Sequence, residues 1–213
     1  MRAFADRGEA GRLLGDAVAE RVDGEAAVVL AIPRGGVVVG AQVAARLGAP
    51  LDVAIPRKVG APGNPELGLG AIAPGVRVLD ERMIRDLRVS DDYLEREIAA
   101  QEAEIERRAA AYRGGRPPVE VQGRTAIVVD DGVATGGTAA AAARWARHAG
   151  AERVVLAVPV APHQAIPALA RETDELVVLA TPEPFYAVGQ WYERFDQVQD
   201  DEVVRLLSGG AAG

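Results

Sequence analysis

Two adjacent acids followed by a glycine-rich turn form the part of the sequence best suited to chemistry. Asp130 and Asp131 follow the apolar run at residues 125–129, and the turn at residues 132–138 comes directly after them. If the run is a strand and the turn opens a helix, successive backbone N–H groups converge on one small anion such as phosphate. In an open α/β sheet, ligands bind at this carboxyl end of a strand. The pattern therefore predicts a phosphate-binding turn.

The side chains of this segment extend the prediction from a phosphate to a sugar phosphate. The hydroxyls of Thr135 and Thr138 add donors, whereas the two carboxylates would repel a phosphate and are suited to accept hydrogen bonds from vicinal ribose hydroxyls. They can also hold Mg²⁺, directly or through water. No lysine follows the glycines and there is no GxGxxG, so neither a Walker loop nor a dinucleotide site is indicated. The predicted binding residues of the turn are Gly132, Val133, Ala134, Thr135, Gly136, Gly137 and Thr138.

Helical and β-rich runs alternate along the chain and would position this turn. Residues 9–22 have helical spacing, residues 26–32 read as a buried strand, and the alternation repeats at 37–47 and 51–55. This order is typical of a parallel sheet. We therefore predict an α/β fold, a single domain with a central, mostly parallel sheet flanked by helices. Further helices are predicted at 90–112, 137–148, 164–171 and 202–207, and further strands at 125–129, 153–158 and 176–179.

A loop rich in glycine and proline carries an isolated lysine. Residues 56–70 hold four glycines and three prolines, which predicts an irregular, mobile lid over a site. Lys58, beside Arg57, is the only lysine in the chain. Lysine is a compact, mobile charge that can follow an anionic ligand as a lid closes. An exposed basic pair without a role is the alternative.

Five of the nine aromatic residues fall within residues 185–195. Such rings can stack on a planar base as a hood, or they can fix the last strand to the core or to a second subunit. Both interpretations stay open. We assign residues 180–208 to the hood segment, within a domain spanning 1–208, and 209–213 to a disordered tail. The candidate acceptor-binding rings are Phe185, Tyr186 and Trp191.

The acid pair and the sequence Thr135-Gly136-Gly137-Thr138 resemble the signature of the type I phosphoribosyltransferases, which use 5-phosphoribosyl 1-diphosphate. The resemblance implies that Asp130 and Asp131 contact the ribose hydroxyls, with Mg²⁺ as cofactor. It implies that residues 134–138 hold the 5-phosphate.

The same resemblance implies a diphosphate-binding loop after the first core strand, where Arg34, Gly35 and Gly36 follow a proline. The glycines would offer N–H groups and the arginine a bidentate guanidinium. We expect a cis peptide between Arg34 and Gly35. Residues 57–60 resemble adenine-type members, in which this part of the lid carries a proton-handling acid. The catalytic residues expected are Asp130, Asp131, Glu66 as general base and Lys58, with Arg57 as a binding residue.

The length and composition of the chain limit the classes of function that it can have. A chain of 213 residues with 49% hydrophobic residues suits one domain, and its net charge of −7 argues against nucleic acid as a partner. The absence of cysteine excludes thiolate chemistry, and no apolar run reaches the roughly 18 residues of a membrane span. A soluble, cytoplasmic protein is expected, with a homodimer as the base-rate expectation.

We therefore predict transfer of a phosphoribosyl group to a nitrogen acceptor, such as a nucleobase, with release of diphosphate. Two alternatives stay open. One is a regulatory domain that senses 5-phosphoribosyl 1-diphosphate without chemistry. The other is a phosphorylase or hydrolase acting on nucleoside phosphates.

Overall fold

The computed structural model describes residues 3–24 and 26–209, apart from the side chain of Glu66. The strands are β1 (Ala27–Ala31), β2 (Leu51–Val53), β3 (Arg57–Ala61), β4 (Asn64–Ala73), β5 (Val76–Leu79), β6 (Thr125–Val129), β7 (Arg153–Val160) and β8 (Glu175–Ala180). The helices are α1 (Arg7–Ala19), α2 (Gly35–Leu47), α3 (Glu81–Asp86), α4 (Asp91–Arg113), α5 (Gly137–His148), α6 (Ile166–Ala170) and α7 (Asp200–Leu207), with 3₁₀ turns at His163–Ala165 and Val188–Trp191.

A five-stranded parallel sheet in the order β2-β1-β6-β7-β8 forms the centre of the fold. Both of its faces are covered. Leu30 of β1 packs in the same cluster as Ala142 of α5, whereas Val29 packs on the other face with Leu14 of α1 and Val43 of α2. Burial on two faces explains why the strands read as continuous apolar runs. The predicted α/β fold with a central parallel sheet flanked by helices is confirmed.

Helices α1 and α4 each begin directly after a residue whose side chain caps the first turn. The Asp6 carboxylate accepts a 2.8 Å hydrogen bond from the backbone N–H of Glu9, and the Ser90 hydroxyl accepts one from Tyr93 at 3.3 Å. Each satisfies a donor that the first helical turn leaves without a partner. The predicted helix at residues 90–112 is confirmed as α4.

The prediction of an irregular loop at residues 56–70 is wrong. Strands β3 and β4 form an antiparallel hairpin, and β5 extends it to a three-stranded sheet. The pairing changes register on either side of Gly60, and Gly70 takes a φ of +148° against β5. The glycines thus fit irregularities within strands, which the composition alone does not distinguish from a loop.

Strand β5 and helix α3 were not predicted. The segment between β8 and α7 is irregular apart from its 3₁₀ turn. Of the predicted tail, Gly209 lies in the turn after α7, and residues 210–213 lie outside the described residues. In the described part of the chain, none of the helices combines the length and the apolar composition needed to cross a membrane.

Candidate functional site

Two carboxylates lie at the carboxyl end of β6, the central strand of the parallel sheet. Asp130 and Asp131 follow Val129 directly, with β1 on one side of β6 and β7 on the other. The backbone N–H of Asp131 donates to Oδ1 of Asp130 at 2.8 Å, which holds the first carboxylate against the chain. The acids therefore lie at the edge of the sheet where the sequence predicted them.

The electrostatic environment of the two acids is unfavourable to charge. Burial raises the pKa of Asp130 well above its usual range, and the negative charge of Asp131 raises that pKa further. Burial also raises the pKa of Asp131, while the nearby Arg7 guanidinium opposes that rise. A buried carboxylate gains when a ligand supplies hydroxyl donors or positive charge. The pair is thus suited to a sugar diol or a cation.

A small cavity of about 130 Å³ lies beside the acids, at the start of α5. Gly136 is the N-cap residue of α5 and has a φ of +88°. Because glycine has no side chain to cap the helix, the first N–H groups of α5 face the turn without a side-chain acceptor. Such N–H groups bind anions. The cavity is lined by Asp130, Gly132, Val133, Ala134, Thr135, Gly136, Thr138 and Ala139.

The loop at residues 33–36 lies against the acid pair. A β-carbon at Gly35 would be 1.9 Å from Oδ2 of Asp131, and one at Gly36 would be 2.9 Å from Cα of Asp130. No residue with a side chain fits at position 35 without moving the carboxylate. The structure therefore brings together the two loops that the sequence placed after separate strands.

Arg34 lies at the start of α2, and its surroundings differ from the prediction. The cis peptide in this loop joins Pro33 to Arg34, so the expectation of a cis bond between Arg34 and Gly35 is wrong. Nη1 of Arg34 lies 3.7 Å from Oδ1 of Asp200 at the start of α7. The hydroxyl of Tyr112 donates to the same carboxylate oxygen at 2.8 Å.

The basic pair at the start of the hairpin is divided between two sides of β3. Nε of Arg57 donates to Oε1 of Gln101 on α4 at 2.8 Å, and burial lowers the pKa of this arginine. Lys58 is exposed, and its aliphatic stem covers Gly68, where a β-carbon would be 3.1 Å from Cδ of the lysine. Glu66, the predicted general base, has its backbone in β4, and its side chain lies outside the described part of the structure.

The hairpin starts at the same edge of the sheet as the acids. Strand β2 runs parallel to β1 and β6, so its carboxyl end points to the edge where Asp130 lies. Arg57 is four residues beyond Val53, which limits its distance from the end of β2 to roughly 14 Å. The start of the hairpin therefore lies near the carboxyl edge of the parallel sheet.

An arginine that the sequence analysis did not single out contacts the acid pair. Nε of Arg7, in the first turn of α1, donates to Oδ2 of Asp131 at 2.7 Å, and the two side chains are only 11% and 15% exposed. The guanidinium also lies 3.8 Å from the ring centre of Phe195 and donates through Nη1 to the carbonyl of Asp196 at 2.8 Å. No local sequence signal marks Arg7, because its partners are distant in the chain.

The aromatic segment joins the N-terminus to the site. Phe4 pairs with Tyr192 through a β-bridge, and the centres of their rings are 5.6 Å apart. The ring centres of Tyr192 and Phe195 are 5.0 Å apart. The Tyr192 hydroxyl donates to the backbone carbonyl of Asp131 at 2.5 Å, and burial raises the pKa of that tyrosine. Tyr192 therefore contacts the backbone of the acid pair directly, whereas Phe195 packs against Tyr192 and Arg7.

The three rings proposed for the acceptor differ in exposure. Phe185 and Trp191 are half-buried with ring centres 6.2 Å apart, whereas Tyr186 is 83% exposed. Within the described part of the chain, Nε1 of Trp191 is buried without a hydrogen-bond partner. The side chain of Gln190 accepts from the N–H of Tyr186 at 3.1 Å and braces this loop.

The donor set around the acids fits Mg²⁺ only in combination with a substrate. Among residues 3–24 and 26–209, there is no cluster of three or more His, Cys, Asp or Glu side chains that would enclose a metal ion. Mg²⁺ is commonly held by one or two carboxylates together with phosphate oxygens and water. Asp130 and Asp131 match that requirement.

An open parallel sheet whose carboxyl edge carries an acid pair and a glycine-rich turn is typical of α/β proteins that bind a ligand at that edge. Comparison with known families makes the assignment specific. The chain belongs to the phosphoribosyl transferase domain family, whose model matches residues 7–179. The resemblance seen in the sequence is confirmed. The aromatic segment lies beyond the matched residues.

Similar proteins support this assignment. Two curated Mycobacterium tuberculosis proteins, "Putative phosphoribosyl transferase MT0597" of strain CDC 1551 and "Putative phosphoribosyl transferase Rv0571c" of strain H37Rv, are 48% identical to the chain over 208 residues. The match covers 97% of this chain and 47% of each relative, so the chain spans about half the length of these relatives.

Solved structures share the fold. The crystal structure of TT1426 from Thermus thermophilus is 47% identical, covers 100% of both chains and superposes with a TM-score of 0.84. A hypothetical protein from Neisseria gonorrhoeae, solved with bound ppGpp, has 13% identity and a TM-score of 0.52 over 98% of this chain and 94% of its own. The second likeness concerns the fold alone.

Proposed function

We propose that this chain transfers the 5-phosphoribosyl group of 5-phosphoribosyl 1-diphosphate to a nitrogen acceptor and releases diphosphate. The observation that carries the proposal is the convergence of three features at one edge of the sheet. These are the acid pair, the small cavity at the start of α5 and the glycine loop that lies against the acids. Family membership supports the same donor.

In the proposed complex, the 5-phosphate occupies the 130 Å³ cavity and accepts hydrogen bonds from the backbone of residues 134–138. The hydroxyls of Thr135 and Thr138 are exposed at this cavity and add donors. The ribose hydroxyls donate to Asp130 and Asp131, and these added donors stabilise the charged forms of two carboxylates whose pKa values are raised by burial. This arrangement orients C1 of the ribose toward the loop at residues 33–36.

The transfer breaks the bond between C1 and the diphosphate oxygen, and the bonding electron pair leaves with diphosphate. Positive charge develops on the ribose ring, as is general for glycosyl transfer, and the acid pair stabilises it. The leaving diphosphate meets Arg34, the N–H groups of Gly35 and Gly36, and the basic pair of the hairpin. When bound through the acids and the substrate, Mg²⁺ would supply further neutralisation of the diphosphate charge.

A nitrogen of the acceptor then forms the new bond to C1 and loses a proton. Glu66 is the proposed base, and the β3–β4 hairpin is the proposed lid that keeps water from the activated sugar. Tyr186 is the ring best placed to stack on a planar acceptor, because it is 83% exposed on a loop braced by Gln190. That loop adjoins the phosphate turn: a β-carbon at Gly132 would be 2.4 Å from Cγ1 of Val188.

The experiment that tests the proposal is calorimetric titration with 5-phosphoribosyl 1-diphosphate, with and without Mg²⁺, followed by diphosphate release against purines, pyrimidines and small aromatic amines. We expect saturable, Mg²⁺-strengthened binding and release on one class of acceptor. Binding without release for any acceptor would favour the regulatory alternative. Dependence on inorganic phosphate would favour a phosphorylase.

A double variant provides the matched control. Asp130→Asn with Asp131→Asn should reduce diphosphate release by at least about a hundredfold, because the site loses the charge that stabilises the ribose cation. Asp91→Asn with Asp92→Asn changes an exposed acid pair at the start of α4 and should leave release unchanged. Equal activity of both double variants would refute the assignment.

A further inference from the structure

The two acids of the signature have different surroundings. Asp130 lines the small cavity at the start of α5, whereas Asp131 does not. Asp131 instead has its Oδ2 between Gly35 and the Arg7 guanidinium. The geometry of the site is therefore asymmetric even though the two residues are adjacent and identical.

Arg7 is held in place from three directions. Its Nε donates to Asp131, its Nη1 donates to the carbonyl of Asp196, and its guanidinium stacks on Phe195. A cation over an aromatic face is a favourable contact, and here the arginine side chain is only 11% exposed. The charge of Arg7 is thus fixed at one oxygen of Asp131.

The charge balance of the site depends on this contact. Two ionised carboxylates at the edge of an anion-binding cavity would repel a ligand that carries phosphate and diphosphate groups. One guanidinium at 2.7 Å neutralises one of them. This leaves Asp130 as the carboxylate whose charge faces the cavity.

We propose that Arg7 is a positioning residue for ribose transfer, which fixes and neutralises Asp131 so that Asp131 serves as an oriented hydrogen-bond acceptor and Asp130 supplies the negative charge that acts on the ligand. The proposal rests on the proposed function and adds a residue and a division of roles to it. Arg7 acts through Asp131 and need not touch the substrate itself.

The first test compares Arg7→Gln with Arg7→Lys and with Arg12→Gln. Arg7→Gln should lower kcat/KM for diphosphate release by about ten- to a hundredfold, the range usual for residues that orient a group in a site. It should also weaken binding of 5-phosphoribosyl 1-diphosphate in titration calorimetry. Arg7→Lys keeps the charge without the planar guanidinium and should recover part of both losses. Arg12, exposed on the same helix, is the matched control and should show neither loss.

The second test is a pair of double-mutant cycles. Arg7→Gln is combined once with Asp131→Asn and once with Asp130→Asn, and thermal stability and donor affinity are measured for every variant. We expect strong coupling between positions 7 and 131, because the single variant leaves a buried charge without its partner. We expect weak coupling between positions 7 and 130.

The outcomes separate this inference from the proposed function. A wild-type protein that binds the donor, with Arg7→Gln that is folded and unchanged in kcat, KM and affinity, would overturn the inference alone. Equal coupling of Arg7 to both acids would also overturn it. A wild-type protein that does not bind the donor would overturn the proposed function and, with it, the role assigned to Arg7.

Discussion

Gly35 lies against Asp131 so closely that a β-carbon at position 35 would be 1.9 Å from the carboxylate oxygen Oδ2. That oxygen also accepts the hydrogen bond of Arg7. The missing side chain at position 35 therefore allows the 33–36 loop, the acid and the arginine to meet at one point. The requirement for glycine here is one of space, since its φ does not lie in the left-handed region.

Gly35→Ala should displace the Asp131 carboxylate. We expect donor affinity to fall at least about tenfold and the free energy of unfolding to fall by about 1–3 kcal/mol, the usual cost of adding a carbon to a packed position. Titration calorimetry and thermal unfolding measure the two effects. Gly137→Ala, in the first turn of α5 with no atom within 4 Å of a β-carbon, is the control for stability and should be at least as stable as the wild type. Wild-type donor affinity in Gly35→Ala would show that binding does not depend on the present position of the Asp131 carboxylate.

Lys58→Met should separate the effect of the Lys58 charge from that of its packing, because methionine is uncharged but has an unbranched side chain of similar length. If Lys58 follows the leaving diphosphate, the loss of its charge lowers kcat/KM for diphosphate release by about tenfold or more and leaves thermal stability within about 0.5 kcal/mol. Lys58→Arg keeps the charge and should be less affected. Gly68→Ala places a carbon 3.1 Å from Cδ of the lysine, so the stem must move and an intermediate loss is expected. Unaltered release by Lys58→Met would assign the residue to the surface.

The parallel sheet and the acid pair could be predicted because their signals are local. Strand β6 is a run of buried apolar residues, and Asp130 follows it directly in the chain. The glycine-rich turn is read from the same segment. Alternation of helix and strand then fixes which edge of the sheet carries the acids.

The parts that were missed depend on contacts between distant residues. Arg7 and Asp131 are 124 residues apart, and neither carries a local mark of the other. The hairpin was misread because glycine and proline disfavour regular strands in general, whereas here Gly60 and Gly70 fit a register shift and a close approach to β5. Pairing with β5 and packing on α4 and α5 decide the structure of that segment.

Asp200→Asn should leave Arg34 more available to the diphosphate, because the Asp200 carboxylate competes with that ligand for the guanidinium. Nη1 of Arg34 lies 3.7 Å from Asp200, whose side chain is 66% exposed, so the pair contributes no more than about 1 kcal/mol. We expect donor affinity to rise by up to about fivefold, and the gain to shrink as salt screens the pair. The asparagine can still accept from Tyr112, which limits structural change.

The neighbouring Asp201→Asn is the matched control for Asp200→Asn, because it removes the same charge from the same helix turn. An equal gain from both variants would indicate a general effect of net charge. A loss of affinity in Asp200→Asn alone would mean that Asp200 aligns Arg34 for the diphosphate and does not compete for it.

Asp130→Asn should stabilise the free protein at neutral pH even as it impairs ligand binding. The pKa of Asp130 is raised in the folded state, mainly by burial. The folded state therefore binds this proton more tightly than the unfolded state does. The resulting stability is fully present below the unfolded pKa, near about 4, and is lost as pH rises through the folded pKa.

The asparagine variant is neutral at every pH, so its advantage over the wild type should be largest at about pH 7–8 and should disappear toward about pH 4. Each kcal/mol gained appears as a Tm increase of about 2–4 °C for a chain of this size. Both proteins lose stability in acid because the pKa values of Asp6 and Asp174 are lowered by hydrogen bonds, so the difference in Tm between the two proteins is the quantity to measure. Thermal unfolding of both proteins at pH 4, 6 and 8 measures how this difference in Tm depends on pH. A difference independent of pH, or a less stable variant at pH 8, would show that the buried charge of Asp130 is already compensated in the free protein.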